Sequence, residues 1–395
     1  MSSDQTPSPR LRVGVDSGGT FTDVCVFDES VGKMFVWKVS STPHDPSEGI
    51  AEGIGGALDE LPGGVDGSAV QYFGHGTTVG TNALIQGRGA ATGLITTRGF
   101  RDVLEIGRQK RPDLYDLQTV KPPILAARDH RMEVTERVLY DGSVQEPLAE
   151  DEVRTAARRL AADGVSAVAI CTLFSFLVPE HEKRIRDIVE EEIPGAFISV
   201  SHEIAPEFRE YERMSTTVVN SYLGPIMKAY LDRLAPRLSE KGIHAEPHLT
   251  QSNGGVISCE TAKAQPVRTV LSGPAAGVMA AVSVGQQTGC GNLITFDMGG
   301  TSSDVSLIEG NRPTMANDVE VHGYPLKVPM LDIHTVGAGG GSIAYLDNGL
   351  LKVGPRSSGA NPGPACYGLG NLEATVRDAN VVLGRLGHSL AGGDI

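Results

Sequence analysis

The chain has 395 residues, 40% of them hydrophobic and 21% charged, with a formal net charge of −14. Roughly 100–200 residues per domain makes this two or three domains with sizeable cores, and the acidic balance argues against non-specific binding to nucleic acid or to an anionic membrane, both of which select basic faces. Cys25, Cys171, Cys259, Cys290 and Cys366 are scattered and form no C-x-x-C pair, which reads as reduced thiols in a cytoplasmic protein; no run nears the roughly 18 apolar residues of a membrane span, and residues 1–10 read as a disordered polar tail rather than a signal peptide.

Residues 11–15 form an apolar strand ending in Asp16, followed by a Gly-Gly turn and alternating residues that resume at Val24 and Val26. The turn therefore joins two strands as a hairpin. Asp45-Pro46-Ser47-Glu48 has the grammar of a helix start. A short strand at 71–73 delivers a G-H-G-T-T turn, then a helix near 79–86 and a strand at 92–96. Residues 99–134 are rich in Arg, Pro and Asp and read as an irregular insertion. The pattern returns to helix at 150–162, strand at 167–171, helix at 181–191 and strand at 197–200. A long helix over 215–238 has an apolar stripe suited to core packing. A second lobe is expected to open near Pro247. Strands alternating with helices predict an α/β class.

A self-match ties the two ends of this pattern together. Residues 13–24 read VGVDSGGTFTDV and residues 294–305 read ITFDMGGTSSDV. Asp16, Gly18, Gly19, Thr20, Asp23 and Val24 align without a gap with Asp297, Gly299, Gly300, Thr301, Asp304 and Val305. A dinucleotide fingerprint is excluded because its glycine turn must open a helix. No G-x-x-x-x-G-K-[ST], G-x-S-x-G or H-E-x-x-H motif is present. Glycines at such a turn let backbone N–H groups converge on an anion. Thr20, Thr22, Thr301 and Ser302 add hydroxyls. Asp16 and Asp297, at strand ends, suit Mg²⁺ held through water and phosphate. Two ordinary tight hairpins are the plain alternative.

The doubled D-x-G-G-T-x-[TS]-D-V resembles the two phosphate hairpins of the actin-like ATPase superfamily. Its wording is similar to the hydantoinase A/oxoprolinase family, together with residues 74–84 (GHGTTVGTNAL), 105–117 (EIGRQKRPDLYDL), 206–217 (PEFREYERMSTT), 272–277 (SGPAAG) and 332–344 (DIHTVGAGGGSIA). The resemblance covers residues 11–386 and implies a two-lobed, ribonuclease H-like α/β fold. It implies a lobe over 11–212 with the insertion near 99–134, a connecting helical segment over 213–246, and a second lobe over 247–395. The family's adenine-contacting glycine segment lies further downstream, so the second lobe is expected to be incomplete or completed by another polypeptide.

The activity implied is ATP- and Mg-dependent hydrolysis of a cyclic amide (a hydantoin, oxoproline or related lactam) by phosphorylation of the amide oxygen. A B-type partner subunit, and hence a hetero-oligomer, is implied with it. The alternatives are the ATP-using subunit of an acetone- or acetophenone-type carboxylase, a non-catalytic ATP-dependent switch, or an inactive truncated paralogue. The expected roles are Asp16 and Asp297 on Mg–phosphate, with Asp23 and Asp304 orienting water. Gly18, Gly19, Thr20, Thr22, Gly299, Gly300, Thr301 and Ser302 are expected on phosphate.

Several further residues carry open alternatives. His75 ligates a metal or orients a substrate carbonyl, beside Thr77 and Thr78, or else caps a turn. Asp332 and His334 share one strand face and bind a second metal or transfer a proton, or form a structural pair. Gly339, Gly340 and Gly341 bring backbone to a ligand or form a lid. Arg108, Lys110 and Arg111 hold a substrate or lie on a solvated face. Arg209, Glu210, Glu212 and Arg213 read as a surface salt-bridge set on a helix.

Overall fold

The computed structural model describes residues 9–394 apart from 19, 20, 43, 111–114, 117, 317, 318, 360, 361, 388, 391 and 392. Alternating apolar residues form β1 (Leu11–Ser17), whose inward positions Leu11, Val13 and Val15 are buried, and β2 (Phe21–Asp28). The chain continues through β3 (Lys33–Ser40), α1 (Pro46–Asp59), β4 (Val70–Thr77) and α2 (Val79–Ile85). Asp45 caps α1 by accepting from Ser47 N–H. β4 is longer than expected: it runs parallel to β1 through Thr77, so His75 and Thr77 are strand residues rather than turn residues.

A second unit follows: β5 (Thr92–Thr97), α3 (Val103–Ile106), β6 (Arg131–Val134), a small hairpin of β7 (Arg137–Val138) and β8 (Val144–Glu146), α4 (Glu150–Ala162), β9 (Ala167–Cys171), α5 (Glu180–Glu192), β10 (Phe197–Val200) and α6 (Ser201–Ile204). Its parallel sheet has the order β10-β9-β5-β6. β9 is buried at every position, as a parallel strand covered on both faces must be.

One helix joins both sheets. α7 (Glu210–Glu240) is 31 residues long and starts before the expected 215. Its C-terminal half packs Met227, Tyr230, Leu231 and Leu234 with Val13, Val24 and Phe73 of the first sheet. Its N-terminal half packs Met214 and Val218 against Leu94 and Ala169 of the second. The surface salt-bridge reading fails at Arg213, which is 1% exposed. Its guanidinium donates to Ser175 Oγ at 2.6 Å and to the Thr172 carbonyl at 2.7 Å. These bonds anchor the early start of the helix.

β11 (Pro247–Thr250) and β12 (Val256–Ser258) pair onto β4 and complete a six-stranded sheet, β12-β11-β4-β1-β2-β3. The boundary expected at 247 thus falls inside the first sheet. After α8 (Cys259–Ala264) and α9 (Ser272–Thr288) come β13 (Leu293–Met298) and β14 (Ser303–Glu309), the second hairpin. β15 (Arg312–Pro313), β16 (Met315–Ala316), β17 (Val319–Val321), β18 (Tyr324–Leu326), β19 (Met330–Leu331) and β20 (Ile333–Val336) follow, with β20 returning to pair with β14. β13 pairs with β14 and, among the described strands, with no other. α9 packs Ala275, Val278 and Val282 against Ile308 and Leu331 of this region. The β21 (Ser342–Asp347) and β22 (Leu350–Ser357) hairpin and α10 (Val376–Val382) follow, and β23 (Ser389–Leu390) pairs with β24 (Gly393–Asp394).

Among the described residues no helix is long and apolar enough to cross a membrane. Leu231→Ala, at a 1% exposed site in the first core, is expected to lower the unfolding free energy by about 2–5 kcal/mol. Leu372→Ala, at a 95% exposed site, is expected to stay within about 0.5 kcal/mol of the parent. Denaturant titration of both variants checks the pair.

Candidate active site

The two hairpins close their turns in the same way. Gly18 N–H donates to the Phe21 carbonyl at 3.0 Å, and Gly299 N–H donates to the Ser302 carbonyl at 2.9 Å. Asp16 stands opposite Asp23 across β1–β2, and Asp297 opposite Asp304 across β13–β14. Each carboxylate pair then meets a different neighbour. Asp23 faces Lys38 on β3, and the two form an ion pair. Asp304 accepts from Thr335 Oγ1 at 2.6 Å, from the facing position on β20.

Asp16 is where the two hairpins meet electrostatically. Its carboxyl is pushed up from 3.8 to about 6, first by loss of hydration and then by the charges of Asp23 and Asp297, with Lys38 pulling the other way. Its side chain still opens to the cleft, so hydration is lost to surrounding protein rather than to full burial. Two glycines make room for it. A Cβ at Gly76 would stand 3.0 Å from Asp16 Oδ1, and one at Gly273 3.2 Å from the same oxygen. Gly273 lies in the first turn of α9, so the helix's positive end adjoins this carboxylate.

The polar residues around the first turn brace it. Thr22 is buried and shares a hydrogen bond with Ser41, whose hydroxyl donates to the Gly18 carbonyl at 2.8 Å. Thr78 Oγ1 donates to the Ser17 carbonyl at 2.9 Å, and the Thr77 carbonyl accepts from Ser272 Oγ at 3.0 Å. These contacts tie the first turn to α9. Gly19, Thr20 and Arg111 lie outside the described residues.

His75 is enclosed in the core rather than open to the cleft. It is 1% exposed, enclosed between the Val15 carbonyl at Nδ1 and the Tyr230 hydroxyl at Nε2. Burial pulls its imidazole down from 6.5 to about 4, so it is neutral at pH 7. It fixes β1, one residue before Asp16, to α7.

The glycine loop after β20 supports the second turn instead of offering its own N–H groups. Gly340 and Gly341 donate to the Gly299 and Gly300 carbonyls at 2.9 and 2.6 Å, and Gly339 donates to Ser342 Oγ at 2.9 Å. Gly299, Gly300 and Thr301 are exposed and Ser302 half-buried. A cavity of about 430 Å³, lined by Pro274, Val278, Ala281, Ile294, Phe296 and Asp297 among others, adjoins the second carboxylate.

Asp332 and His334 are exposed near Asp304, with His334 opposite Val305 on β14. Among the described residues no cluster of three or more His, Cys, Asp or Glu is placed to hold a metal. Arg108 is not at the hairpins: its Nε and Nη2 donate to Glu212 at 2.7 and 2.6 Å, at the far end of α7. Lys38, Gly76 and Gly273 escaped the sequence reading. Lys38 was detectable only through the alternation of β3, which sets it beside Asp23.

Two outcomes follow from this geometry. Asp16 binds a proton more tightly when folded than its ordinary 3.8, so its contribution to stability falls as pH rises from about 4 to about 6 and stays low above that. Asp16→Asn is therefore expected to melt higher than the parent at neutral pH, with the gap closing near pH 4 in a series of thermal melts. A Cβ at Gly339 would lie 2.7 Å from backbone atoms of Thr301. Gly339→Ala is therefore expected to displace the second turn and to melt below the parent in thermal melts followed by circular dichroism.

Comparison with known proteins agrees with this architecture. The family model described as hydantoinase/oxoprolinase N-terminal region matches residues 12–193, and the one described as hydantoinase/oxoprolinase matches residues 213–395. The chain is 41% identical to caprolactamase subunit alpha of Pseudomonas jessenii, over 98% of this chain and 56% of that one. The solved structure of that ATP-dependent caprolactamase superposes with a TM-score of 0.83, covering 96% of this chain and 56% of that one. A nucleotide-free acetone carboxylase structure gives a TM-score of 0.83 at 30% identity, covering 98% and 57%. The 5-oxoprolinase of Saccharomyces cerevisiae is 34% identical over 95% of this chain and 32% of its own length. The chain thus spans little more than half, or about a third, of these relatives. The mixed α/β architecture with paired hairpins is the actin-like ATPase fold, and the chain belongs to the hydantoinase/oxoprolinase family.

Proposed function

We propose that the facing hairpins grip the polyphosphate of ATP and that the chain is the ATP-using part of an enzyme that opens cyclic amides. The observation that carries this reading is that the charge of Asp297 reaches Asp16 and helps to raise its carboxyl, although the two belong to matching hairpins far apart in sequence. Carboxylates crowded with so little compensating charge favour a divalent cation. Asp16 and Asp297 would hold magnesium, with Asp23 and Asp304 ordering its water. Bound there, the ion would neutralise charge on the transferring phosphoryl group. The exposed turn at Gly299–Thr301 and the α9 N-terminus would supply donors to phosphate oxygens.

An unstrained amide carbonyl is a poor electrophile. Transfer of a phosphoryl group to its oxygen creates a leaving group and an activated carbon for water. The residues at the cleft then contribute position and charge more than covalent chemistry. The caprolactamase and 5-oxoprolinase relatives support a cyclic amide as acceptor. The acetone carboxylase structure supports a second reading, in which ATP activates a ketone and bicarbonate. A B-type partner subunit fits the alpha-subunit relative in either case.

Asp16→Ala and Asp297→Ala are expected to keep native circular dichroism and lose at least tenfold in affinity for Mg–ATP. Unchanged affinity in both would sink the site assignment. ATP turnover, measured with the chain and its partner, is expected to rise with lactams or hydantoins. A rise only with ketone plus bicarbonate would instead establish the carboxylase reading.

A further inference from the structure

A second cavity, of about 1260 Å³, lies between residues 104–110 and 120–125, the N-terminal half of α7 and the β17–β18 hairpin. The hairpin is fixed there by the Tyr324 hydroxyl, which donates to the Pro123 carbonyl at 2.6 Å, and by Lys327 N–H, which donates to Thr216 Oγ1 at 2.8 Å. Glu212, in its wall, is eighteen residues along α7 from Tyr230. At 1.5 Å per residue that is about 27 Å from the His75 contact. The cavity is therefore separate from the hairpins. Arg108 and Glu212, each from a stretch that carries the family resemblance, meet in it.

One end of this cavity is built for an anion. α7 is 31 residues long, and no side chain caps its N-terminus. Its first-turn N–H groups thus present the positive end of a long helix at the cavity wall. Ser215, one turn further on, is 4% exposed and lines the cavity, and its hydroxyl, open to that space, has no hydrogen-bond partner among the described residues. Arg209, at the N-cap, holds φ at 80°, a left-handed conformation that side chains other than glycine rarely adopt.

The local charge agrees. Lys110 and Lys121 line the cavity of a chain whose net charge is −14, beside Arg108 and Arg209, which have partners of their own. Of the acids there, Glu212 is neutralised by Arg108, and Glu105 pairs with Arg128 and Arg131 at 3.1 and 3.0 Å. Glu320 is the exception. It lines the cavity without a partner among the described residues, and after burial it is the largest influence raising the Tyr211 hydroxyl. Leu104, Val218, Val219 and Leu326 supply apolar wall.

We propose that this cavity is a second ligand site, for a small amino acid with an apolar spacer. The carboxylate sits at the start of α7 beside Ser215, the spacer lies on Val218 and Leu326, and the ammonium meets Glu320. Opening a lactam yields this class of molecule. Water adds across the ring C–N bond, the carbonyl carbon becomes a carboxylate, and the nitrogen leaves as an ammonium group. The identity of the ligand as product rests on the function proposed above, whereas the binding geometry does not.

Calorimetric titration of the chain with 6-aminohexanoate and with hexanoate tests the site. Both acids are expected to bind the parent chain. Ser215→Ala is expected to weaken both at least fivefold. Glu320→Gln is expected to weaken 6-aminohexanoate at least fivefold and to leave hexanoate within twofold. Asp16→Asn is expected to change neither. No binding to the parent, or affinities that survive both cavity variants, overturns the proposal. Loss of binding in Asp16→Asn also overturns it, because the ligand then lies at the hairpins. Equal response of both acids to Glu320→Gln overturns the ammonium assignment. The titration contains no nucleotide, so its outcome is independent of the Mg–ATP measurements.

Discussion

Uncompensated negative charge at one point of the cleft organises this molecule. Asp16 feels Asp23 from its own hairpin and Asp297 from the other, with Lys38 as the opposing charge. Such crowding is unfavourable by itself and is useful only where a cation arrives. The surrounding structure makes it tolerable. Gly76 and Gly273 leave space around the carboxylate, α9 turns its positive end toward it, and Lys38 and Thr335 each hold one outer carboxylate of the two hairpins. The hairpins share a turn geometry but not these neighbours. The cleft is consequently two-fold in backbone and asymmetric in charge.

α7 is the mechanical counterpart of that electrostatic centre. It packs against both sheets of the N-terminal half, meets His75 through Tyr230, and carries buried Arg213 and Glu212 near its other end. The β17–β18 hairpin, from beyond the second glycine turn, docks on the same helix. A displacement of the second half relative to the first therefore loads α7 at a site remote from the two hairpins. Lobe closure in two-lobed enzymes works through such shared rigid elements.

The duplicated hairpin was legible because its chemistry is local. Asp, two glycines and alternating apolar residues specify the bend, and the repeat of that wording links Asp16 with Asp297. The buried strands and α4 were equally plain from periodicity. What escaped was non-local. β11 and β12 join the first sheet through pairing with β4, which no local pattern announces. Arg213 and His75 are polar residues in wholly buried places, satisfied by partners dozens of positions away or more. The glycines at 339–341 read as ligand contacts by composition alone, but the N–H groups of Gly340 and Gly341 are committed to the second turn and that of Gly339 to Ser342. Lys38 depends on three strands being in register.

β13 has a further meaning for how this polypeptide behaves in solution. β1, its counterpart, is flanked on both sides, by β2 and β4. β13 presents one side to β14, while Ile294 and Phe296 stand 74% and 63% exposed. A strand with a free row of amides and carbonyls beside apolar side chains is a template for any extended segment that passes. A second copy of the chain qualifies as readily as a cognate one. Solubility is then governed by crowding of like molecules, and an acidic surface that repels its own kind is the counterweight this chain carries.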